Sequence, residues 1–354
     1  EREGYLHTMD IASGKTTQLS ISITGDFPWA EVQWTDVTNS ATSVSLSATG
    51  KRAIMEARGE IFTVPVENGN TRNLTNSSGV ADRSPIWSPK GDKVAWFSDA
   101  GGKGYSLMIG AQDGLTPPKS ISIGESKLGW EPVWSPDGKY IAFTDDDVRI
   151  RVLDIEAEKI KTIDVGGNNL ERGGMGLTWS PDSRWLAFAK SGSNNFRRVM
   201  IWSLDDNSVK PVTNELADAF SPAWDAGLKQ LYFLAGTDLA LGSGWANTSS
   251  ITADPKYSVY IVNLQKKDDS PFKLKSDEEE KPKDEAKAED KKKDETKAET
   301  KTDDKKKDEA KAEDKKKEGD TKTEAKKDSV KIDFEGIETR ILATSMPARS
   351  YQML

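Results

Sequence analysis

The sequence predicts an all-β protein: a β-propeller of four-stranded blades, about five of them present, carrying a long charged low-complexity insert. Three observations predict this. A segment led by tryptophan recurs four times, at Trp87, Trp134, Trp179 and Trp224, with spacings of 47, 45 and 45 residues. Each period also holds a second pair of strand-like stretches, giving the four strands and roughly 45 residues of one propeller blade. Hydrophobic residues make up 35% of the chain, and the deficit is local. Residues 276–328 hold 18 Lys and 21 Asp or Glu, with six Ala as their only hydrophobic residues.

The four strong copies are Ser84-Pro-Ile-Trp-Ser-Pro-Lys-Gly-Asp-Lys-Val-Ala-Trp96, Glu131-Pro-Val-Trp-Ser-Pro-Asp-Gly-Lys-Tyr-Ile-Ala-Phe143, Gly176-Leu-Thr-Trp-Ser-Pro-Asp-Ser-Arg-Trp-Leu-Ala-Phe188 and Ser221-Pro-Ala-Trp-Asp-Ala-Gly-Leu-Lys-Gln-Leu-Tyr-Phe233. A weaker copy, Val44 to Met55, places Leu46 where the others have tryptophan. Each reads as strand, tight turn, strand. Proline presets one backbone angle of the turn and glycine supplies the permissive one. Second strand pairs follow, such as Glu60–Pro65 with Thr71–Leu74, Arg149–Asp154 with Ile160–Ile163, and Val199–Leu204 with Val209–Val212. A lone four-stranded sheet cannot bury both faces. Stacked radially, each blade covers its neighbour, and the repeat tryptophans are expected in the wedge between blades rather than stacked on a ligand.

Along the chain, residues 1–24 are expected to form the outer two strands of a blade, the end of a preceding propeller, and 25–43 a connection. Blades are expected over 44–275, at 44–75, 84–123, 131–165, 176–213 and 221–275. The fifth contains a long loop, Ala235–Lys256, a candidate functional insertion. Residues 276–328, in which Lys-Asp-Glu-Ala-Lys-Ala-Glu-Asp-Lys-Lys-Lys occurs twice, lack an apolar stripe and are expected to be a disordered or solvated-helix spacer. Residues 329–354 resume propeller strands, with Val330–Leu342 patterned as strand–turn–strand. Both ends are expected to be truncated.

Composition excludes much chemistry. With no cysteine there is no thiol nucleophile, thiolate metal site or disulfide. The single histidine, His7, precludes a His-rich metal cluster and is expected on a strand edge. The net charge of −8 argues against a nucleic-acid binder. No apolar run is long enough to span a membrane, and no signal-peptide pattern begins at Glu1. Asp145-Asp146-Asp147 lacks calcium-loop spacing and is expected as a hairpin turn. Neither a Gly-x-Ser-x-Gly elbow nor a phosphate-binding glycine loop occurs. The turns also lack the residue between Asp and Gly that a sialidase Asp-box needs. No cofactor or metal is expected.

The tryptophan repeats resemble the broad Trp-x-Pro-Asp-Gly-Lys propeller class that includes the TolB propeller. Three further stretches are more specific. They are Ala53–Pro65, Thr237–Trp245, and Val330–Leu342 with Pro347-Ala-Arg349. Together they resemble bacterial homologues of tricorn protease, over nearly all of the chain outside the charged insert. The resemblance implies a large cytoplasmic serine-type peptidase, in which a six-bladed propeller precedes a seven-bladed one and helical, PDZ-like and catalytic domains follow. Residues 1–24 would close the first ring and 44–354 supply most of the second. That second propeller is read as a substrate channel to an active site outside this chain, so no catalytic residue is assigned here. The implied partners are peptides or unfolded polypeptide, the PDZ-like and peptidase domains of the same protein, and further copies of it. The chain departs from the family pattern at Lys90 and at Asp225-Ala226-Gly227.

Loops leading into the innermost strands ring a propeller axis at one end. Arg83, Glu131, Arg172 and Asp218 are therefore the candidate channel-mouth residues, expected to contact peptide backbone or termini. Two functions of other classes compete. One is a TolB-like interaction propeller without a peptidase, and the other is the lid of a prolyl-oligopeptidase-type enzyme.

Overall fold

The computed structural model describes residues 4–31, 33, 35–124, 126–237, 255–272 and 329–354. The spacer at 276–328 and most of the Ala235–Lys256 loop, including the Asp238–Trp245 part of the family-like stretch, lie outside the described residues.

Two compact units are present, residues 1–41 and 42–354. In the first, β1 (His7–Met9) and β2 (Thr16–Gln18) form an antiparallel hairpin, the strand pair that the sequence predicts. Its turn is tied by Asp10, whose carboxylate accepts Ser13 N at 2.7 Å and Ser13 Oγ at 2.6 Å. His7 is half-buried on β1, with Nδ1 3.2 Å from the Tyr5 carbonyl.

The second unit consists of five four-stranded antiparallel sheets in chain order. Blade I comprises β3 (Ala41–Leu46), β4 (Arg52–Ala57), β5 (Glu60–Pro65) and β6 (Arg72–Asn73). Blade II comprises β7 (Asp82–Trp87), β8 (Lys93–Ser98), β9 (Ser106–Ala111) and β10 (Lys119–Ser122). Blade III comprises β11 (Gly129–Trp134), β12 (Tyr140–Asp145), β13 (Arg149–Asp154) and β14 (Lys159–Val165). Blade IV comprises β15 (Thr178–Trp179), β16 (Trp185–Ser191), β17 (Arg197–Ser203) and β18 (Val209–Pro211). Blade V comprises β19 (Asp218–Trp224), β20 (Gln230–Gly236), β21 (Ser258–Asn263) and β22 (Ile341–Ala343).

Blade V departs from expectation. Its fourth strand is β22, paired to β21 from beyond the charged segment, so that segment interrupts the blade between its third and fourth strands. Residues 330–342 are accordingly not a strand–turn–strand unit. Val330–Gly336 pack as irregular chain, Ile337–Arg340 form a 3₁₀ turn, and only β22 is a strand. The irregular part is anchored instead by the neighbouring blade. Val330 N donates to Asp182 at 2.7 Å, and Trp185 Nε1 donates to the Val330 carbonyl at 3.3 Å. Val330 and Ile337 are buried in the core between blades IV and V.

The turn chemistry explains the Ser-Pro-Asp-Gly signature. The Ser88 and Ser135 carbonyls accept the Gly91 and Gly138 amides at 2.9 Å, and these glycines sit at φ 72° and 78°. The same serines' Oγ atoms accept Lys93 N at 3.0 Å and Tyr140 N at 2.9 Å. Ser183 and Leu228 hold the corresponding left-handed position in blades IV and V, at φ 63° and 62°. That conformation costs a non-glycine residue about 1 kcal/mol.

The core is a series of inter-blade wedges. Ile54, Ile61, Trp87, Val94 and Trp96 fill the seam between blades I and II. Phe97, Ile109, Trp134, Ile141 and Phe143 fill that between II and III. Val152, Trp179, Leu186, Phe188 and Trp202 fill III–IV, and Val199, Ile201, Leu231 and Phe233 fill IV–V. The repeat tryptophans lie in these seams as expected. Leu46, at the tryptophan position of blade I, is 64% exposed.

Candidate functional site

The antiparallel order places two kinds of connection at the start of each innermost strand: those entering from the preceding blade and those joining second to third strands. The turns joining first to second strands lie at the opposite end. Three of the innermost strands begin with a kink that the sequence pattern does not reveal. The β7–β8, β11–β12 and β19–β20 ladders each slip within the residues three to four places before the tryptophan. There Ser84, Glu131 and Ser221 adopt φ 53°, 47° and 52°, and Gly176 holds the same place in blade IV at φ 64°. These are bulges that re-aim the strand entrance.

The four candidate residues all lie at this entrance end, and their chemistry divides them. Arg83 on β7 and Arg172, just after the Asn169–Glu171 turn, are exposed and form no ion pair among the described residues. The two carboxylates are committed internally. Glu131 reaches into blade IV and accepts Met175 N at 3.0 Å and Gly176 N at 3.4 Å. Burial pushes its carboxyl above the ordinary range, against the pull of those two amides. Asp218 forms a two-pronged pair with Arg197, 2.9 Å to Nε and 2.7 Å to Nη2, and also accepts Arg197 N at 2.9 Å. The Arg197 guanidinium lies 3.7 Å over the Phe220 ring. The expected mixed-charge mouth therefore presents its arginines, while its acids serve as cross-links.

Residues missed by the sequence reading complete the entrance. Arg58, Lys103 and Lys127 are exposed in the connections at the same end. Glu56 accepts Ser84 N across the I–II seam at 2.9 Å. Asp145, the first of the three consecutive aspartates, is fully buried at the end of β12. It accepts Ser126 Oγ at 2.6 Å, Arg149 Nε at 2.8 Å and Arg151 Nη1 at 2.9 Å. Burial raises its carboxyl, but these hydrogen bonds together outweigh that and hold it below the usual carboxylate range. Asp145 to Val148 form the hairpin turn expected there, Val148 N donating to the Asp145 carbonyl at 2.9 Å. Among the described residues no group of three or more His, Asp or Glu could hold a metal ion. No signal short of knowing strand pairing identifies Arg197 or Glu56, since their partners lie 21 and 28 residues away.

At the opposite end, the innermost strands of blades I, II and III border a cleft of about 340 Å³, walled by Leu46, Ile86, Trp87, Pro89, Val133 and Trp134. Three of the four repeat indoles donate across their seams to the residue before the preceding tryptophan position. Trp87 Nε1 reaches the Ser45 carbonyl at 3.3 Å, Trp179 Nε1 that of Val133 at 3.3 Å, and Trp224 Nε1 that of Thr178 at 3.1 Å. Trp134 is 9% exposed and its Nε1 has no partner.

Seam-packed four-stranded blades, strung on a tryptophan repeat and kinked at their axial entrances, define a propeller module. The family model for the tricorn protease second beta propeller domain matches residues 41–354, and the chain belongs to that family. Tricorn protease homolog 1 of Streptomyces coelicolor is 26% identical over 227 residues, covering 63% of this chain and 20% of the relative. The Tricorn protease homolog of Saccharolobus solfataricus is 24% identical over 239 residues, covering 68% of this chain and 21% of the relative. The crystal structure of the tricorn protease superposes with a TM-score of 0.60 at 14% identity, covering 99% of this chain and 29% of that one. The chain thus spans about a fifth of the length of the curated relatives it matches. No helix among the described residues is long and apolar enough to cross a membrane.

Proposed function

We propose that this propeller admits unfolded peptides along its axis to the catalytic region of a tricorn-like serine peptidase, and that Arg83 and Arg172 select at the entrance. The observation that carries this is the division of charge. The carboxylates at the strand entrances are tied to Met175, Gly176 and Arg197, while the two guanidiniums remain exposed with their donors available. An arginine fork suits a peptide's terminal or side-chain carboxylate and its backbone carbonyls. A ring of narrow bore admits extended chains and excludes folded ones. The partners are polypeptide in extended form and the peptidase regions of the same protein, and the chain itself performs no bond cleavage.

The test is charge reversal in the full-length protein, Arg83→Glu together with Arg172→Glu, with turnover measured on a long unfolded peptide and on a short reporter. The expected result is a loss of about tenfold on the long peptide, steepest at low salt, with the short reporter unchanged. Equal turnover on both substrates would overturn the selecting role. Absence of any peptidase activity from the full-length protein would overturn the channel and leave an interaction propeller of the TolB-like kind.

A further inference from the structure

We propose that the cleft across blades I to III is a binding station for an apolar stretch of extended polypeptide, whose main chain bonds to the indole of Trp134. The first support is the interrupted series of indole bonds. The repeat places an indole N–H against a backbone carbonyl at each seam, and three seams close that bond. At the II–III seam the indole is buried without a partner, and the carbonyl in the equivalent place, Ile86, receives no indole. A buried donor without an acceptor is unfavourable and is rare in folded proteins. Here donor and acceptor are left open together, and both belong to residues that border the cleft.

The second support is the chemistry of the walls. Leu46, Ile86, Trp87, Pro89, Pro132, Val133 and Ala48 surround the opening, and only Ser45 and Ser88 add hydroxyls. No charged side chain lines it. Leu46 and Val44 on β3 are 64% and 61% exposed, extending an apolar surface from the cleft along the innermost strand of blade I. Such a surface favours aliphatic or aromatic side chains and disfavours charged ones.

An extended peptide suits both features at once. Its carbonyl accepts from Trp134 Nε1, its N–H donates to the Ile86 carbonyl, and its side chains fill the apolar walls. A small apolar molecule would leave the polar pair unmet. A lone water would meet the pair but leave the walls uncovered. Gly138 and Pro89, from the turns of blades III and II, flank the indole nitrogen: a Cβ placed on Gly138 would stand 3.9 Å from Nε1 and 4.0 Å from Pro89 Cδ. The bare glycine keeps that side uncrowded. The proposal adds a substrate class to the axial channel and rests on it only for how polypeptide arrives. The entrance arginines take no part, because they lie at the other end of the innermost strands.

The test uses the full chain and fluorescein-labelled peptides of about ten residues, with Gly/Ser flanks around a central Leu-Val-Leu or a central Asp-Ser-Asp. Binding is read by anisotropy. The apolar-centred peptide is expected to bind about tenfold tighter than the charged one. Trp134→Phe is expected to weaken it about fivefold while far-ultraviolet circular dichroism stays unchanged. Leu46→Lys, at a position already exposed, is expected to weaken it further and guards against a packing effect of the first variant. Equal affinity for the two peptides would overturn the proposal. Unchanged affinity in Trp134→Phe would do the same, leaving a bridging water as the indole's partner. Binding that falls in Arg83→Glu/Arg172→Glu but not in Trp134→Phe or Leu46→Lys would leave the channel standing and remove the apolar station. Apolar binding that persists in a protein without peptidase turnover would remove the channel and keep the station.

Discussion

The seams on the two sides of blade III are built differently. Between III and IV, polar bridges accompany the packing. Trp179 Nε1 donates to Val133, Asp137 N donates to Ser183 Oγ at 2.9 Å, and Glu131 takes two amides of the next blade. Tyr140 stacks on Trp179 at 6.0 Å, and Trp202 meets Trp179 edge-on at 6.2 Å. Between II and III, the Phe97 ring lies edge-on to Phe143 at 5.6 Å and presses so closely on Gly129 that a Cβ there would stand 2.5 Å from it. The repeat indole of that seam makes no bond. Both seams hold, so burial of apolar surface joins the blades, while the hydrogen bonds set their register. A seam that dispenses with its indole bond has a donor to offer a visitor.

The largest expected effect comes from removing the apolar key of the plainer seam. Phe97 is fully buried, and Phe97→Ala is expected to cost about 3–5 kcal/mol in urea unfolding, the usual range for emptying an aromatic core site. A cost below about 1 kcal/mol would mean that the II–III seam is not held by packing, and the contrast with III–IV would collapse.

A smaller effect sharpens the same contrast. Trp179→Phe and Trp134→Phe remove the same volume from homologous wedges, but only the first breaks a hydrogen bond. The cost of Trp179→Phe is expected to exceed that of Trp134→Phe by about 1 kcal/mol. Equal costs would show that Trp134 has a partner in solution.

This asymmetry also marks how far the sequence could be read. The tryptophan period and the Ser-Pro-Asp-Gly turns are local features, and they located all five blades and the seam positions of Trp87, Trp134 and Trp179. The missing indole bond at Trp134 has no local signature, because Trp134 sits in the same motif as its counterparts. The left-handed bulge at Ser84, Glu131 and Ser221 was likewise hidden in what reads as continuous strand. The fourth strand of blade V was misplaced because its partner β21 lies on the far side of the charged segment, and alternation within 330–342 says nothing about pairing at that distance. At the entrance, all four candidate residues were found at the correct end by topology alone. Which of them remain exposed depended on long-range partners, Arg197 for Asp218 and the Met175–Gly176 amides for Glu131.

Glu131 carries the smallest and most specific expectation. It occupies a left-handed position on the III–IV seam, and burial raises its carboxyl above the ordinary value. A carboxyl raised in the folded state favours the neutral acid there. Its contribution is therefore fully present below the unfolded value and is lost as pH rises through the folded one. Glu131→Gln keeps an acceptor for the Met175 amide and removes the titration. The variant and the parent are expected to melt together below the ordinary carboxylate range. As pH rises towards neutrality the variant should gain, by about 1–3 °C in Tm. A difference in Tm that stays flat from acid to neutral pH would show that Glu131 is as well solvated in the fold as out of it. The closed seam would then owe its amide bonds to an ordinary surface carboxylate rather than to a buried one.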